Sequence, residues 1–121
     1  ISECLVGSEM CIRDRGRNFT MIPNKECMKA ILKFVSENAK VKVDDMAFHD
    51  ITVSTLNVSM LLEQMSKEGK YTIEEIAYNF LQCYYNGLVN AKINFQQKMI
   101  QSSTSDILGI TFTGIDFMNQ N

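Results

Sequence analysis

The segment from Thr72 to Val89 constrains the fold more than any other part of the chain. Thr72 and Glu75 have the spacing of a capping box, in which each residue's side chain accepts a hydrogen bond from the other's backbone N–H. Gly87 follows where a left-handed residue commonly ends a helix. Apolar residues recur between these signals at helical intervals, and they predict one face turned to a core: Ile73, Ile76, Ala77, Phe80, Leu81 and Tyr84. The segment therefore predicts a capped helix over residues 73–86.

Two further helices are predicted upstream of this one. Pro23 and Asn24 lead into KECMKAILKFVSEN, whose apolar residues fall on one stripe over residues 25–38. Asn57 is placed to cap a second helix over residues 58–66. The residues Lys67–Lys70 break this helix, with Gly69 as its natural stop. Helices 58–66 and 73–86, joined by a short turn, predict a helix-turn-helix pair.

Alternating apolar and polar residues predict short strands around these helices. Ile51–Ser54 is predicted as a strand after the charged connection Lys40–Asp45, and LVNAKINF over residues 88–95 as a second. A polar loop over residues 96–106 then leads to a strand over residues 107–112, which is the arrangement of a wing. Thr113–Asp116 opens a last short helix. The predicted fold is α+β: a winged helix-turn-helix of three helices, a small antiparallel sheet with a wing, and a short C-terminal helix.

Three phrases carry a family resemblance that spans residues 24–120: CMKAILKFVSEN, TIEEIAYNFLQCYYNGLVNAK and ITFTGIDFMN. They resemble a family of uncharacterised bacterial and phage proteins, labelled only as a domain of unknown function and similar to winged-helix regulators. Asn79 stands where histidine is common in that family, and Ile115 stands near another common histidine. The resemblance implies the winged-helix fold and supplies no function beyond that likeness.

Residues 1–15, ISECLVGSEMCIRDR, differ from the remainder of the chain because they show neither a helical period nor strand alternation. They contain Cys4 and Cys11, and the stretch LVGSEMCIRDR resembles a translated sequencing-adapter read. We interpret residues 1–15 as an artefactual or disordered segment and residues 16–121 as one winged-helix-like domain.

Composition and motifs narrow the classes of function. With 45% hydrophobic and 21% charged residues the chain is globular in type, and it has no apolar run approaching the ~20 residues that span a bilayer. We expect a cytoplasmic protein without membrane contact. The cysteines form no CxxC pair, and His49 is isolated from them, so no metal site is expected. No nucleophile–base set or phosphate loop is present, and we expect neither an enzyme, nor a cofactor, nor a small-molecule substrate.

Two hypotheses of function arise from this fold. The first is a transcriptional or phage regulator that binds double-stranded DNA, with helix 73–86 in the major groove. Asn79 and Gln82 would then contact adenine, and Tyr78 or Tyr85 would contact phosphate. Lys67 and Lys70 in the turn and Lys92 and Lys98 in the wing would meet further phosphates. The formal net charge of −2 and the pair Glu74–Glu75 oppose it. The alternative is a protein-interaction module on the same fold, with a protein partner or a second copy and no DNA binding.

Overall fold

The computed structural model describes residues 22–46, 48–53 and 56–120. The predicted segment 1–15, with Cys4 and Cys11, lies outside the described residues. The helices are α1 (Lys25–Asn38), α2 (Val58–Lys67), α3 (Ile73–Tyr85) and α4 (Phe112–Met118). The strands are β1 (Val41–Val43), β2 (Ile51–Val53), β3 (Val89–Lys92), β4 (Phe95–Gln96), β5 (Met99–Ile100) and β6 (Asp106–Ile110), and a 3-10 turn spans Ser102–Thr104. The fold is a mixed α+β arrangement of helices with small antiparallel sheets.

Local caps place the helix starts where the sequence predicts them. The Asn24 side chain accepts from the backbone N–H groups of Glu26 (3.0 Å) and Cys27 (3.3 Å) at the start of α1. The capping box of α3 is present, because Glu75 N–H donates to Thr72 Oγ1 at 3.1 Å and Thr72 N–H to Glu75 Oε1 at 3.0 Å. These bonds satisfy backbone donors that a helix start leaves without partners. The predicted caps of α1 and α3 are confirmed.

The buried face of α3 differs from the predicted stripe. Ile76, Asn79, Phe80 and Cys83 are the buried residues of this helix, and Ile73 is 45% exposed. The prediction of Ile73 as a core residue was wrong. The buried face still has helical spacing, but it includes Asn79 in place of Ile73. Asn79 can be buried because it is hydrogen-bonded to the cap of α1, and apolar periodicity does not reveal such a bond.

A common core joins α1 to α3, α2 and the sheet. Ile31 and Leu32 of α1, Leu61 of α2, and Ile76 and Phe80 of α3 are all at most 1% exposed, and β6 adds Ile107 at 0%. No helix in the described ranges has the length and hydropathy that a membrane span requires. The core therefore depends on α1 and α3 lying against each other, with the remaining elements packed around them.

Three extended segments are joined side by side by backbone pairing. β3 pairs antiparallel with β6, with an irregularity between Asn90 and Ala91. On the other edge of β6, Asn57 forms an antiparallel bridge with Asp106, and the N–H of Ile107 donates to the carbonyl of Leu56 at 3.0 Å. The chain entering α2 thus lies along β6 as a very short third strand.

Two hairpins are present where the sequence predicted connections without strand pairing. The charged connection Lys40–Asp45 contains β1, which pairs antiparallel with β2. A second hairpin pairs β4 with β5; it takes Phe95 from the end of the predicted strand 88–95 and the rest of its residues from the predicted loop 96–106. Both hairpins were missed because β1, β4 and β5 have only two or three residues each, too few to show an alternation that separates a strand from a connection. The strand predicted over Ile51–Ser54 is present as Ile51–Val53, and Ser54 lies outside the described residues.

The C-terminal helix is seated on the corner between α3 and β3. Thr111 caps α4 by accepting from the N–H of Gly114 at 3.0 Å, and its hydroxyl donates to the carbonyl of Gly87 at 2.6 Å. Helix α4 thus begins at Phe112, one residue before the predicted Thr113. A Cβ at Gly114 would overlap the carbonyl of Leu88, so this close approach requires glycine.

Gly114→Ala is expected to destabilise the domain by about 1–3 kcal/mol, because the added methyl group forces α4 away from Leu88. Thr113→Ala changes the exposed neighbouring residue and should stay within about 0.5 kcal/mol of the parent. Urea unfolding of the three proteins measures both effects. Equal midpoints for the two variants would contradict the seating of α4 on Leu88.

Candidate nucleic-acid interface

The predicted contact residues lie in three places. Tyr78, Asn79 and Gln82 are on α3. Lys67 is the last residue of α2, and Lys70 lies in the turn before α3. Lys92 ends β3, and Lys98 lies in the hairpin of β4 and β5 over residues 95–100, which we call the wing. The helix, the turn and the wing differ in burial and in charge.

Asn79 is a buried structural residue, contrary to its predicted place on an exposed reading face. It is 2% exposed. Its Oδ1 accepts from the backbone N–H of Asn24 at 2.8 Å, and its Nδ2 donates to the carbonyl of Glu75 at 2.8 Å. Because both ends of the amide have protein partners and solvent cannot reach them, Asn79 does not present the donor–acceptor pair that would bind adenine. It instead joins α3 to the cap of α1.

The exposed part of α3 is aromatic and acidic. Tyr78 and Gln82 are partly buried, so each offers only part of its side chain. Tyr85 is 64% exposed, and its ring meets that of Tyr84 edge-on with centroids 5.3 Å apart. Glu74 is exposed in the first turn, and α3 contains neither Lys nor Arg. This surface therefore repels phosphate at its first turn and has no cation of its own to compensate.

Two lysines flank the start of the turn before α3: Lys67, which ends α2, is in an ion pair, and Lys70 has no carboxylate partner among the described residues. Lys67 Nζ lies 4.0 Å from Glu63 Oε2, with both side chains largely exposed. Lys70 Nζ lies 5.6 Å from the centroid of the Tyr71 ring. An exposed pair of this kind contributes little, so Lys67 can exchange Glu63 for another anion. Lys70 is exposed and is the more available of the two.

The wing exposes Lys98 at its tip. Phe95 pairs with Ile100 and Gln96 with Met99, which leaves Gln97 and Lys98 as the two-residue connection. Gln97 has the positive φ of 59° that tight hairpin connections use. Lys98 and Lys92 are both exposed. The wing therefore carries its positive charge in the connection at its tip.

A buried polar cluster fixes the base of the wing. Ser105 is 0% exposed; its Oγ accepts from the N–H of Asn94 at 2.8 Å and donates to the carbonyl of Gln101 at 2.8 Å. The N–H of Gln101 donates to the carbonyl of Asn94 at 3.0 Å, and Asn94 Nδ2 donates to Thr104 Oγ1 at 2.7 Å. These bonds close the two ends of the hairpin onto each other. Sequence reasoning missed them because serine and glutamine without periodicity are typical of open loops.

The cysteines of the described ranges belong to the core. Cys27 and Cys83 are fully buried on α1 and α3, and burial raises the pKa of Cys27 to about 11 and that of Cys83 to about 12. Both thiols therefore stay protonated at neutral pH and are poor nucleophiles. Within the described ranges, no three His, Cys, Asp or Glu residues are grouped so that they could hold a metal ion. His49 lies in the connection between β1 and β2 with a φ of 52°.

Comparison of the chain with models of protein families, with curated proteins and with solved structures finds no match.

Asn79→Ala is expected to lower the free energy of unfolding by about 1–3 kcal/mol, because it leaves the backbone N–H of Asn24 without its acceptor. The matched control is Asn38→Ala. Asn38 makes a similar bond to the carbonyl of Phe34, four residues earlier, but it is exposed, so its loss should cost well under about 1 kcal/mol. Chemical denaturation followed by circular dichroism measures both, and equal losses would contradict the role of Asn79.

Proposed function

We propose that this chain is a winged-helix-type domain. The order of its elements supports the proposal: a helix (α1), a short extended segment at residues 56–57, two helices (α2 and α3), and two strands (β3 and β6) joined through the wing. The adjacency of residues 56–57, β6 and β3 is the small three-stranded sheet that such a domain contains. In a domain of this type the β1–β2 hairpin is an insertion between α1 and the first strand.

We propose further that the domain binds duplex DNA through phosphate contacts made by the turn and the wing, and that α3 reads no bases. The observation that carries the proposal is the anchored wing, which holds Lys98 at an exposed tip above the closed cluster around Ser105. Lys92 and Lys70 are further exposed cations on the neighbouring strand and turn. Phosphate contacts position a protein on DNA without carrying sequence information. With Asn79 buried, binding by this surface should show little preference for sequence.

The number of lysines that can contact phosphate sets the expected strength and salt dependence of DNA binding. Contacts from Lys70, Lys92 and Lys98 would give a slope of about −2.7 in log affinity against log salt, at about 0.9 per phosphate. The affinity should therefore fall roughly 40-fold between 50 and 200 mM salt. Glu74 and the net charge of −2 both weaken binding. We expect a weak, strongly salt-dependent interaction.

Titration of a fluorescent random duplex at two salt concentrations tests this proposal. Lys70→Glu and Lys98→Glu should each weaken binding and make the salt slope shallower by about 0.9 or more. Lys33→Glu makes the same charge change on an exposed position of α1 and should alter affinity much less. Absence of binding at low salt, or equal effects of Lys33→Glu and Lys98→Glu, would overturn the proposal.

The second candidate function is a protein-interaction module, favoured by the corner between α3 and α4. Tyr85 is 64% exposed and Phe112 is 87% exposed, and the bond from Thr111 to the Gly87 carbonyl brings their two segments together. Exposed aromatic side chains are enriched where proteins bind each other. Phe112→Ala should leave the domain folded, because Phe112 is 87% exposed and is not part of the core.

A further inference from the structure

The β1–β2 hairpin projects from the body of the domain. Every residue of both strands is exposed. Partnered residues share a face in an antiparallel pair. Val41, Val43, Ile51 and Val53 therefore form one apolar face, each between 45% and 64% exposed. Lys42 and Thr52 lie on the other face. The apolar face is not covered by any part of the chain that the structure describes.

A hairpin of this kind needs additional contacts. An isolated two-stranded hairpin is marginally stable in water, and further strands or a packed helix are normally required. Within the described ranges, β1 and β2 form a sheet of two strands with no third strand on either edge. Unpaired edges of this kind are templates for pairing with another chain. The hairpin therefore has free strand edges and an exposed apolar face, both of which a further strand could cover or extend.

The backbone pattern shows which groups the outer edge of β1 offers. The N–H of Asp44 donates to the carbonyl of Asp50 at 2.8 Å, so residues 44 and 50 are a hydrogen-bonded pair. Because such pairs alternate along an antiparallel ladder, Lys42 and Thr52 form the next one. Val43, between them, turns its N–H and C=O away from β2. In the described part of the chain no residue pairs with those two groups.

We propose that a second copy of this chain pairs with the outer edge of β1, antiparallel, about a twofold axis at Val43. The two Val43 residues would exchange N–H···O=C bonds, because both turn these groups outward. The register places Lys42 opposite Asp44 of the partner subunit, and the twofold axis repeats that ion pair on the other side. The product is a four-stranded antiparallel sheet in which the apolar faces of the two hairpins meet at Val43.

Charge complementarity favours pairing through β1 over pairing through β2. It also favours a second copy of this chain over an unrelated strand as the partner. The equivalent pairing through β2, centred on Ile51, would place Asp50 opposite Thr52 of the partner subunit, which gives no ion pair. On β1, one oxygen of Asp44 already accepts from the N–H of Met46 at 3.0 Å, and its other oxygen faces no described cation within ion-pair distance. The strand VKVD is thus complementary to itself in the antiparallel register.

The oligomeric state of the full chain, measured by sedimentation velocity from low micromolar to near-millimolar concentration, tests this proposal. We expect a monomer–dimer equilibrium. Val43→Pro removes the outward N–H at the centre of the interface and should leave a monomer across the whole range. Proline is tolerated on an edge strand where its missing N–H points away from the sheet, so the hairpin itself should persist.

Ile51→Pro is the matched control, because Ile51 is the partner of Val43 in the hairpin and turns its N–H to the opposite edge. It should dimerise as the parent does.

Lys42→Glu should weaken dimerisation roughly tenfold, since two ion pairs become two repulsions, whereas Lys40→Glu should change it much less. Circular dichroism establishes that each variant is folded. A parent that stays monomeric at every concentration, or equal effects of Val43→Pro and Ile51→Pro, would overturn the proposal. Neither outcome depends on DNA binding.

Discussion

The packing of α1 against α3, closed by the Asn79 amide, is the contact on which the rest of the structure depends. Asn79 accepts from the N–H of Asn24, and Asn24 in turn caps α1. A buried amide with both ends bonded fixes the relative position of two helices more closely than apolar contacts alone, because leaving either end unbonded is costly. With α1 and α3 held in place, Phe80 and Ile76 complete the core against which α2 and β6 pack. The chain leaving α3 then enters β3 through Gly87, and α4 is seated on the same corner.

The sequence alone predicts the helices well and the hairpins poorly, and the range of the interactions explains the difference. Asn24, Asn57 and Thr72 cap helices through bonds to residues two or three positions away, so the signals are local. Asn79 binds an N–H 55 residues distant, which no spacing rule reports. The hairpins of two- and three-residue strands are short and exposed, so their side chains carry no burial pattern. Of the candidate site, the lysines could be found from charge, whereas the buried state of Asn79 required the fold.

The structure separates the surfaces that the domain offers to other molecules. Helix α3 buries Ile76, Asn79, Phe80 and Cys83 and has an acidic first turn, so the cations of the proposed DNA surface come from the turn, β3 and the wing. The cluster around Ser105 joins the two ends of the wing. A hairpin whose ends are fixed has less backbone entropy to lose on binding than an open loop. The β1–β2 hairpin is a separate projection with its own apolar face. The proposed DNA contact and the proposed self-association therefore involve different elements, and variants can test them independently.

The side-chain amide signals in a ¹⁵N spectrum of the labelled protein, recorded while random duplex is added, test the central assignment most directly. We expect the Asn79 amide to be protected from hydrogen exchange and to keep its chemical shift, while the wing amides of Gln96 and Gln97 shift and do so less at higher salt. A shift of the Asn79 amide on addition of DNA, together with rapid exchange in the free protein, would contradict the burial of Asn79. It would favour the hypothesis in which α3 contacts the bases.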